Sequence, residues 1–180
     1  MVCDDNEVRI RCAELRDIDA MREIERRAGA LFAAIGMSSV ADDDPPTESQ
    51  LINAIETGSA WVMENDVGDA VVAYLFAEQV DGATHIDQVS VLPEFAHRRI
   101  GQALLEEAAR WALRHGSQAL TLTTFRDVPW NAPYYEGLGF GVLSADELGP
   151  ELKAVVNAED DQPWADEPRV CMHRALEPEH

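Results

Sequence analysis

The sequence predicts a single-domain α/β or α+β fold built on one sheet of mixed strand directions. The chain has 180 residues, the usual size of one domain, and it contains no internal repeat or low-complexity linker. Stretches with strand and helix periodicity follow one another in the order β-α-α-β-β-β-α-β-α-β-β. We therefore expect one domain over residues 1–180, with its core at about 7–143 and a C-terminal extension whose final strand lies at about 168–175.

The N-terminal third predicts one strand and two helices. Residues 8–12 alternate apolar and polar side chains, as a strand does. Asp17 is a candidate cap for the first helix. Apolar residues at helical spacing follow it, namely Ile18, Met21, Ile24, Ala28 and Leu31. The second helix is predicted to begin at Thr47, because Thr47 and Gln50 have the spacing of a capping box.

The middle of the chain predicts three strands followed by a long helix. The strands lie at about 60–64, 70–78 and 84–92, and Asn, Asp and Gly residues between them favour tight turns, as in an antiparallel meander. The helix extends from about Ile100 to His115 with one apolar face, and Gly116 is its expected C-terminal stop.

The last third of the chain predicts shorter elements. We expect a strand at 120–123, a short helix that begins at Asn131 and a strand at 140–143. Residues 144–166 are polar and predict irregular structure with one helical turn, and residues 170–173 alternate as a last strand does.

The net charge of the chain indicates which classes of partner to expect. The formal net charge is −20, and a surface this negative repels nucleic acid and anionic lipid, so neither is an expected partner. The charge could attract a cationic small molecule such as a polyamine or an amino sugar, although solubility is a simpler reason for it. The three cysteines and five histidines have no ligand spacing, so no metal is expected.

The expected location is the cytoplasm. No apolar run approaches the ~20 residues of a membrane span. The first residues, Met1-Val2-Cys3-Asp4-Asp5, lack the basic start and the apolar stretch of a signal peptide. An odd number of cysteines without paired spacing also fits a reducing compartment.

The segment Arg98–Ala103, which begins the long helix, is a candidate anion-binding site. A helix N-terminus leaves about four backbone N–H groups unpaired and has a partial positive charge. Gly101 and Ala103 are small enough to let a phosphate approach the backbone. Arg98 and Arg99 add two cations to a very acidic chain. The segment therefore predicts a diphosphate cradle, although small residues at a helix start also serve packing.

Two motifs, in order, resemble the GNAT N-acetyltransferase superfamily. Arg98-Arg99-Ile100-Gly101-Gln102-Ala103 fits the pattern Arg/Gln-x-x-Gly-x-Gly/Ala, which follows a strand ending in Val-x-Pro. The segment Asn131–Phe140 is similar to the ending Asn…Tyr-x-x-x-Gly-Phe. The resemblance extends over most of residues 7–143. It implies a small bacterial-type acetyltransferase with a mixed, mostly antiparallel sheet of about six to seven strands flanked by about four helices.

The resemblance also implies acetyl-CoA as the cosubstrate and gives each matched segment a role. Backbone groups of Val89 and Val91 would pair with the pantetheine arm, and Asn131 would lie beside the pantetheine and the sulfur. Backbone amides of the cradle would hold the diphosphate, namely those of Arg98, Arg99, Ile100, Gly101, Gln102 and Ala103. Arg99 stands where many members of the family have glycine.

Transfer of an acetyl group to an amine calls for a general base. An amine with a pKa of about 10 is neutral in about one molecule in a thousand at pH 7, a handicap of about 4 kcal/mol. Asp87, counted back from Arg98, lies where members of the family often have a catalytic carboxylate. His85 is a second candidate, and Glu78 and Glu25 are candidates that would act through water.

The family scheme implies that Tyr135 stabilises the departing thiolate. Full proton transfer from a tyrosine to a thiolate is uphill by about 2 kcal/mol, so a hydrogen bond describes the role better. The predicted function is N-acetyl transfer from acetyl-CoA to a primary amine of a small molecule, by direct attack in a ternary complex. A protein N-terminal or lysine acetyltransferase and a non-catalytic acetyl-CoA-binding module stay open, as does a homodimer.

Overall fold

The computed structural model describes residues 8–177 and contains seven strands and six α-helices within that range. The strands are β1 (Val8–Cys12), β2 (Ala60–Asn65), β3 (Ala70–Val80), β4 (Ala83–Val91), β5 (Ala119–Phe125), β6 (Gly141–Val142) and β7 (Arg169–Ala175). The helices are α1 (Ile18–Gly29), α2 (Ser38–Ala41), α3 (Glu48–Thr57), α4 (Ile100–Arg114), α5 (Ala132–Gly137) and α6 (Pro150–Glu159).

The strands form one sheet in the order β1-β2-β3-β4-β5-β7-β6. The pairs β1–β2, β2–β3, β5–β7 and β6–β7 are antiparallel, whereas β4–β5 is parallel. This confirms the expected mixed, mostly antiparallel sheet of six to seven strands. The helices exceed the expected four because α2 and α6 were not predicted.

The chain forms two compact units, and segments of β3 and β4 belong to each. The first unit comprises Met1–Phe76, described from residue 8, and Gln88–Glu106. The second comprises Ala77–Asp87 and Glu107–His180, described to residue 177. One domain over residues 1–180 stays a prediction, and residue 7, the expected start of its core, lies outside the described residues.

The core of the first unit lies between α1, α3 and strands β2 and β3. Its buried members are Ala13, Ile18, Met21, Ile24, Leu51, Ala54, Ala60, Val62, Tyr74 and Phe76. The predicted apolar face of the first helix is thus confirmed at three of its positions. The prediction that Leu31 belongs to this face was wrong. Helix α1 ends at Gly29, and a 3₁₀ segment, Ala30–Ile35, changes the direction of the side chains that follow. Leu31 is therefore 44% exposed.

One predicted helix cap is confirmed and the other was wrong. At the start of α3, the Gln50 N–H donates to Thr47 Oγ1 at 3.2 Å and the Thr47 N–H donates to Gln50 Oε1 at 2.9 Å. Asp17 makes no side-chain cap bond to α1. Its carboxylate instead accepts two bonds from the Arg11 guanidinium, at 2.7 and 2.9 Å, and one from the Glu14 N–H at 2.7 Å. Asp17 belongs to a 3₁₀ turn before α1, Leu15–Asp17, and its carboxylate pairs with the N–H of Glu14 at the cap position of that turn.

The predicted irregular structure over residues 144–166 was wrong, since α6 has ten residues. The carboxylate of Asp81 accepts hydrogen bonds from the N–H groups of Glu151 (3.1 Å) and Leu152 (2.8 Å) and so caps this helix from another element. Leu152 is buried in an apolar cluster with Cys171. The helix is stabilised by tertiary contacts that no local pattern of residues contains.

The other predicted elements agree with the structure to within two residues. The strand expected at 120–123 spans Ala119–Phe125, and the helix expected to begin at Asn131 begins at Ala132 with Asn131 at its cap position. The long helix ends at Arg114, one residue before the expected His115. Within the described residues, no helix is both long and apolar enough to cross a bilayer.

Candidate functional site

The backbone in front of α4 has an uncommon conformation. His97 has φ of 63° and Arg99 has φ of 59°, and both values lie in the left-handed region that residues with a Cβ rarely adopt. The side chains of His97, Arg98 and Arg99 are all exposed. Left-handed residues next to a helix start can direct successive N–H groups into one concavity, which favours an anion. The diphosphate cradle expected from the sequence begins within this segment.

The first turn of α4 has backbone N–H groups that are available to a ligand. The Ala103 N–H donates to the Arg99 carbonyl at 3.0 Å, which is the i→i−4 bond at the start of this helix. The N–H groups of Ile100, Gly101 and Gln102 precede it and, by helical geometry, have no acceptor within the helix. The amide of Ala103 is thus already paired, and this residue can contribute to the cradle only through its small side chain.

The two arginines of the cradle differ in their surroundings. The Arg98 guanidinium lies over the Phe95 ring, 5.0 Å from its centroid, and donates a long 3.5 Å hydrogen bond to the Glu94 carbonyl. The Glu94 carboxylate is held by Arg27, whose Nη2 is 2.9 Å from both of its oxygens. The side chain of Arg99 makes no hydrogen bond or ion pair to any residue in 8–177. Arg99 is therefore the cation of the cradle that is free to meet an anion.

Strand β4 leads directly to the cradle. Val89 and Val91 lie near its end, and both are partly exposed. The Leu92 N–H, just past the strand, donates to the Val72 carbonyl at 2.9 Å and holds the end of β4 in place. The strand residues and the cradle expected to bind one cosubstrate thus belong to a continuous stretch of the first unit.

A second polar group in the first unit surrounds Glu25 of α1. One carboxylate oxygen, Oε2, accepts hydrogen bonds from Tyr74 Oη at 2.8 Å and from Ser90 Oγ at 2.5 Å. Burial raises the pKa of the Glu25 carboxyl, while the two hydroxyl donors oppose that increase. Glu25 is a predicted base acting through water, but its partners Tyr74 and Ser90 were not predicted, because they are 49 and 65 residues away in the sequence.

Asp87, in the second unit, has the electrostatics of a general base. Burial raises its pKa to about 8, and the negative charge of Glu78 adds to the increase. The side chain keeps part of its surface exposed, so a ligand can reach it. A carboxyl with this pKa binds and releases a proton close to neutral pH, which a carboxyl in water does not.

His85, the other candidate base, is buried and hydrogen-bonded within the fold. Its Nδ1 is 2.9 Å from Thr121 Oγ1, and the residue is only 2% exposed. Burial and the positive charge of Arg169 lower its pKa to about 4. The imidazole is therefore neutral at neutral pH and too weakly basic to compete with Asp87 for a proton.

Asn131 stands at the cap position of α5 in the second unit, and Tyr135 lies within this helix. The Asn131 Nδ2 group donates to Thr124 Oγ1 at 2.8 Å, and its Oδ1 is buried without a hydrogen-bond partner among the described residues. Tyr135 is buried, with its ring packed edge-on against Tyr134 and Phe140 at centroid distances of 5.3 and 5.7 Å. A buried amide oxygen without a partner suits a ligand that brings an N–H donor.

Comparison with known proteins identifies the family. The model of the acetyltransferase (GNAT) family matches residues 18–140, which is more than half of the chain. The chain belongs to the GNAT family of acetyltransferases. This confirms the resemblance of the two motifs. The expected cosubstrate, acetyl-CoA, is confirmed at the level of the family.

Solved structures show that this GNAT chain has the fold of the family. It is similar to the PaiA N-acetyltransferase from Thermoplasma acidophilum in complex with coenzyme A (TM-score 0.68, 16% identity, 94% of this chain and 99% of that one). It also resembles the ribosomal-protein-S18-alanine N-acetyltransferase from Escherichia coli (TM-score 0.63, 18% identity, 97% of each chain).

A third similar structure is N-acetylglutamate synthase from Neisseria gonorrhoeae complexed with coenzyme A and N-acetyl-glutamate. Its TM-score is 0.70 at 18% identity, and the match covers 97% of this chain but 36% of that one. At these identities the three likenesses establish the fold. The expected sheet, fold class and family of this GNAT acetyltransferase are therefore confirmed.

The structure places the predicted site residues of this GNAT chain in two groups. Val89, Val91 and the cradle lie in the first unit, whereas Asp87, Asn131 and Tyr135 lie in the second. Among residues 8–177, no group of three or more His, Cys, Asp and Glu side chains could hold a metal ion. The roles of the individual residues stay predictions.

Proposed function

We propose that this GNAT chain transfers the acetyl group of acetyl-CoA to a primary amine of a small molecule, by direct attack within a ternary complex. Membership of the family supports acetyl transfer. The observation that most supports the site is the pair of left-handed residues, His97 and Arg99, in front of the first turn of α4. Such backbone strain persists where the surrounding structure maintains it, and it is frequent at ligand-binding sites.

The residues present fit the diphosphate of acetyl-CoA. Ile100, Gly101 and Gln102 present backbone N–H groups without an acceptor in the helix, and Arg99 adds a free positive charge. These local donors are needed, because a net charge of −20 opposes the approach of any anion. When bound, acetyl-CoA supplies an acetyl group activated as a thioester.

Asn131 fits the pantetheine arm. This arm contains amide N–H groups, and Asn131 Oδ1 is a buried acceptor that lacks a donor. The hydrogen bond from Asn131 Nδ2 to Thr124 fixes the orientation of the side-chain amide. The unpaired oxygen therefore has its orientation before a ligand binds. We assign Asn131 to binding rather than to chemistry.

Asp87 is the proposed general base. The acceptor arrives mainly as an ammonium ion, and Asp87 takes one of its protons to leave a nucleophilic nitrogen. The pKa of about 8 narrows the gap to an amine of pKa about 10, so this transfer costs about 3 kcal/mol instead of about 8 kcal/mol for an ordinary carboxylate. The nitrogen then bonds to the acetyl carbon as the carbon–sulfur bond breaks, and the second proton that the nitrogen loses neutralises the departing thiolate, which leaves as the CoA thiol.

Tyr135 is the proposed donor to the departing thiolate. Its hydroxyl would hydrogen-bond the sulfur as negative charge develops there, a contribution made mainly in the transition state. The packing of its ring between Tyr134 and Phe140 limits the orientations of the phenol, as this role requires. Among the described residues, no observation favours a protein acceptor. The net charge of the chain is the reason for preferring a small amine.

The first test is calorimetric titration of the protein with acetyl-CoA and, in parallel, with ADP. We expect micromolar binding of acetyl-CoA and much weaker binding of ADP, which lacks the pantetheine arm. Equal affinities would reduce the site to a general diphosphate pocket, and failure of both to bind would contradict the proposal. A screen of amines, with release of the CoA thiol as the readout, then identifies the acceptor, with a peptide included to detect protein acetylation.

A matched pair of variants tests the cradle. Arg99→Gln removes the free charge but keeps a Cβ at the same left-handed position, so backbone strain is unchanged. We expect acetyl-CoA affinity to fall roughly fivefold, the effect of about 1 kcal/mol for an exposed ion pair. Arg110→Gln, on the outer face of α4 where Arg110 pairs with Glu107, is the control and is expected to leave the affinity unchanged.

A further inference from the structure

The carboxyl of Glu25 is held in one orientation by two hydroxyl groups. Tyr74 and Ser90 both donate to Oε2, and Gln88 Nε2 donates to Ser90 Oγ at 3.0 Å. Tyr74 is fully buried and Ser90 is 7% exposed, so both donors are fixed by the core. The second oxygen, Oε1, has no bond to these hydroxyls, and Glu25 itself is partly exposed.

None of the arginines in residues 8–177 pairs with Glu25. The three arginines nearest to it in α1 are engaged elsewhere: Arg22 with Pro46 and Glu48, Arg26 with Glu23, and Arg27 with Glu94. The charge of Asp43 instead raises the pKa of Glu25 further. The Glu25 carboxyl is therefore either protonated or an anion without a cationic partner among residues 8–177.

This arrangement destabilises the fold as long as no cation is bound. A carboxylate that is largely withdrawn from water and has no cation beside it is unfavourable. A glutamine would accept the same two hydroxyl bonds without that cost, so the two bonds alone do not explain an ionisable group. A carboxylate with one oxygen oriented and one oxygen available is instead suited to a ligand with a positively charged N–H group.

The Glu25 carboxyl lies beside β4, the strand that is expected to bind the cosubstrate. Ser90 lies between Val89 and Val91, the two residues of β4 expected to pair with the pantetheine arm. Glu25 is hydrogen-bonded to this serine and belongs to the same compact unit. A cation bound at Glu25 would thus lie beside the strand that is expected to bind acetyl-CoA.

We propose that Glu25, oriented by Tyr74 and Ser90, binds a positively charged nitrogen of the acceptor and so restricts the substrate class to cationic amines without a neighbouring carboxylate. This inference rests on the proposed function and names the substrate class for it. An amino acid acceptor would bring a carboxylate close to Glu25 and Asp43, where it would be repelled. The net charge of −20 favours the same class at long range.

The test compares Glu25→Gln with a matched control. Glu23→Gln removes an exposed carboxylate from the same helix, where Glu23 pairs only loosely with Arg26 at 3.4 Å. Spermidine, putrescine and L-glutamate are the probes. In protein labelled with ¹³C at glutamate side chains, the Glu25 carboxyl resonance, assigned by its loss in Glu25→Gln, is followed during titration with each probe. We expect a saturable shift with spermidine or putrescine, and none with L-glutamate.

Steady-state kinetics complete the test. With the better of the two cationic probes as acceptor, we expect Glu25→Gln to raise the KM for the amine at least tenfold, and Glu23→Gln to leave it unchanged. Calorimetry with acetyl-CoA should give the same affinity for all three proteins. A resonance that no cationic probe shifts, or an unchanged KM in Glu25→Gln, overturns this inference. Loss of acetyl-CoA binding in the wild-type protein would instead contradict the proposed function.

The hydroxyl donors provide a second pair of variants. Ser90→Ala and Tyr74→Phe each remove one hydrogen bond to Oε2 while retaining the carboxylate. If they orient Glu25 for a cation, each should raise the KM for the amine by roughly threefold to tenfold, the value of one hydrogen bond, with kcat less affected. A KM unchanged in both variants would show that the hydroxyls have a purely structural role and would overturn this part of the inference.

Discussion

The side chain of Asn131 is held by Thr124, whose Oγ1 accepts a 2.8 Å hydrogen bond from Asn131 Nδ2. Thr124 is buried in β5, and Asn131 stands at the cap position of α5. The bond leaves Asn131 Oδ1 buried without a partner in the described part of the chain. Such an atom costs stability when it stays unpaired, and it gains a full hydrogen bond when a ligand supplies the donor.

Asn131→Ala is expected to weaken acetyl-CoA binding by roughly tenfold, because it removes the acceptor of a buried hydrogen bond worth about 1.5 kcal/mol. The affinity of ADP, which lacks the pantetheine amides, should not change. Calorimetric titration measures both. Thr124→Val keeps Oδ1 but loses the bond that orients it, so a smaller loss is expected there; an acetyl-CoA affinity equal to that of the wild type in Asn131→Ala would refute the assignment.

The rate of acetyl transfer should depend on the ionisation of Asp87. Only the deprotonated carboxylate can accept a proton, so kcat at saturating amine should rise with pH through an apparent pKa of about 8. Asp87→Asn should lower kcat roughly 100-fold and remove this ionisation. Glu78→Gln, which removes the neighbouring negative charge, should move the midpoint to lower pH with a smaller loss of rate. A pH profile that is the same in Asp87→Asn would exclude the base role.

The pH dependence of protein stability should also reveal the raised pKa of Asp87. Its pKa in the folded protein, about 8, lies above the ordinary value of 3.8, so the unfolded chain loses this proton first as pH rises. The contribution of Asp87 to the free energy of unfolding is therefore most favourable below about pH 4, and it decreases up to about pH 8. Asp87→Asn should become more stable relative to wild type across this window, by an amount on the order of a few kcal/mol. Thermal unfolding of both proteins at several pH values measures the difference; a constant difference would argue against the raised pKa.

Tyr135→Phe tests the donor to the thiolate. We expect kcat to fall roughly tenfold or more while acetyl-CoA affinity is retained, because the hydroxyl acts mainly on charge that develops in the transition state. The ring packing against Phe140 should be preserved. Tyr134→Phe, the neighbouring and more exposed tyrosine of α5, is the control and should have normal turnover. Unchanged kcat in Tyr135→Phe would remove this assignment.

Gly149→Ala should destabilise the attachment of α6. A Cβ at Gly149 would approach the carboxylate of Asp81 to less than 3.0 Å, and Asp81 is the residue that caps α6. We expect a loss of about 1–3 kcal/mol in the free energy of unfolding, measured by denaturant titration. Gly141→Ala in β6 adds the same methyl group where no atom lies within 4 Å, and it should cost much less. Equal losses in the two variants would mean that the contact with Asp81 is unimportant.

Local patterns predicted much of the framework of this fold. The alternation of residues 84–92 and the periodicity of residues 100–115 gave β4 and α4 to within one residue at each end. The capping box of Thr47 and Gln50 was also correct. In each case the groups that define the element lie within a few residues of one another, so their spacing in the sequence contains the information.

The incorrect predictions involve partners that lie far apart in the chain or a change of helix type. Asp17 does not cap α1 because Arg11, on a different element, takes its carboxylate. The helix α6 was missed because Asp81, 70 residues from Glu151, supplies its cap. Leu31 left the predicted apolar face because a 3₁₀ segment replaced the α-helix after Gly29.

The sequence by itself identified the family, predicted a diphosphate cradle at the start of α4, and offered Asp87 and Tyr135 as candidates for the chemistry. Only the tertiary structure decided which carboxyl groups have pKa values suited to a reaction. Asp87 owes its pKa to burial and to Glu78, and Glu25 has its orientation from hydroxyls on two other elements. Burial and the distance between charges depend on how elements pack, and the spacing of residues along a chain does not contain either quantity.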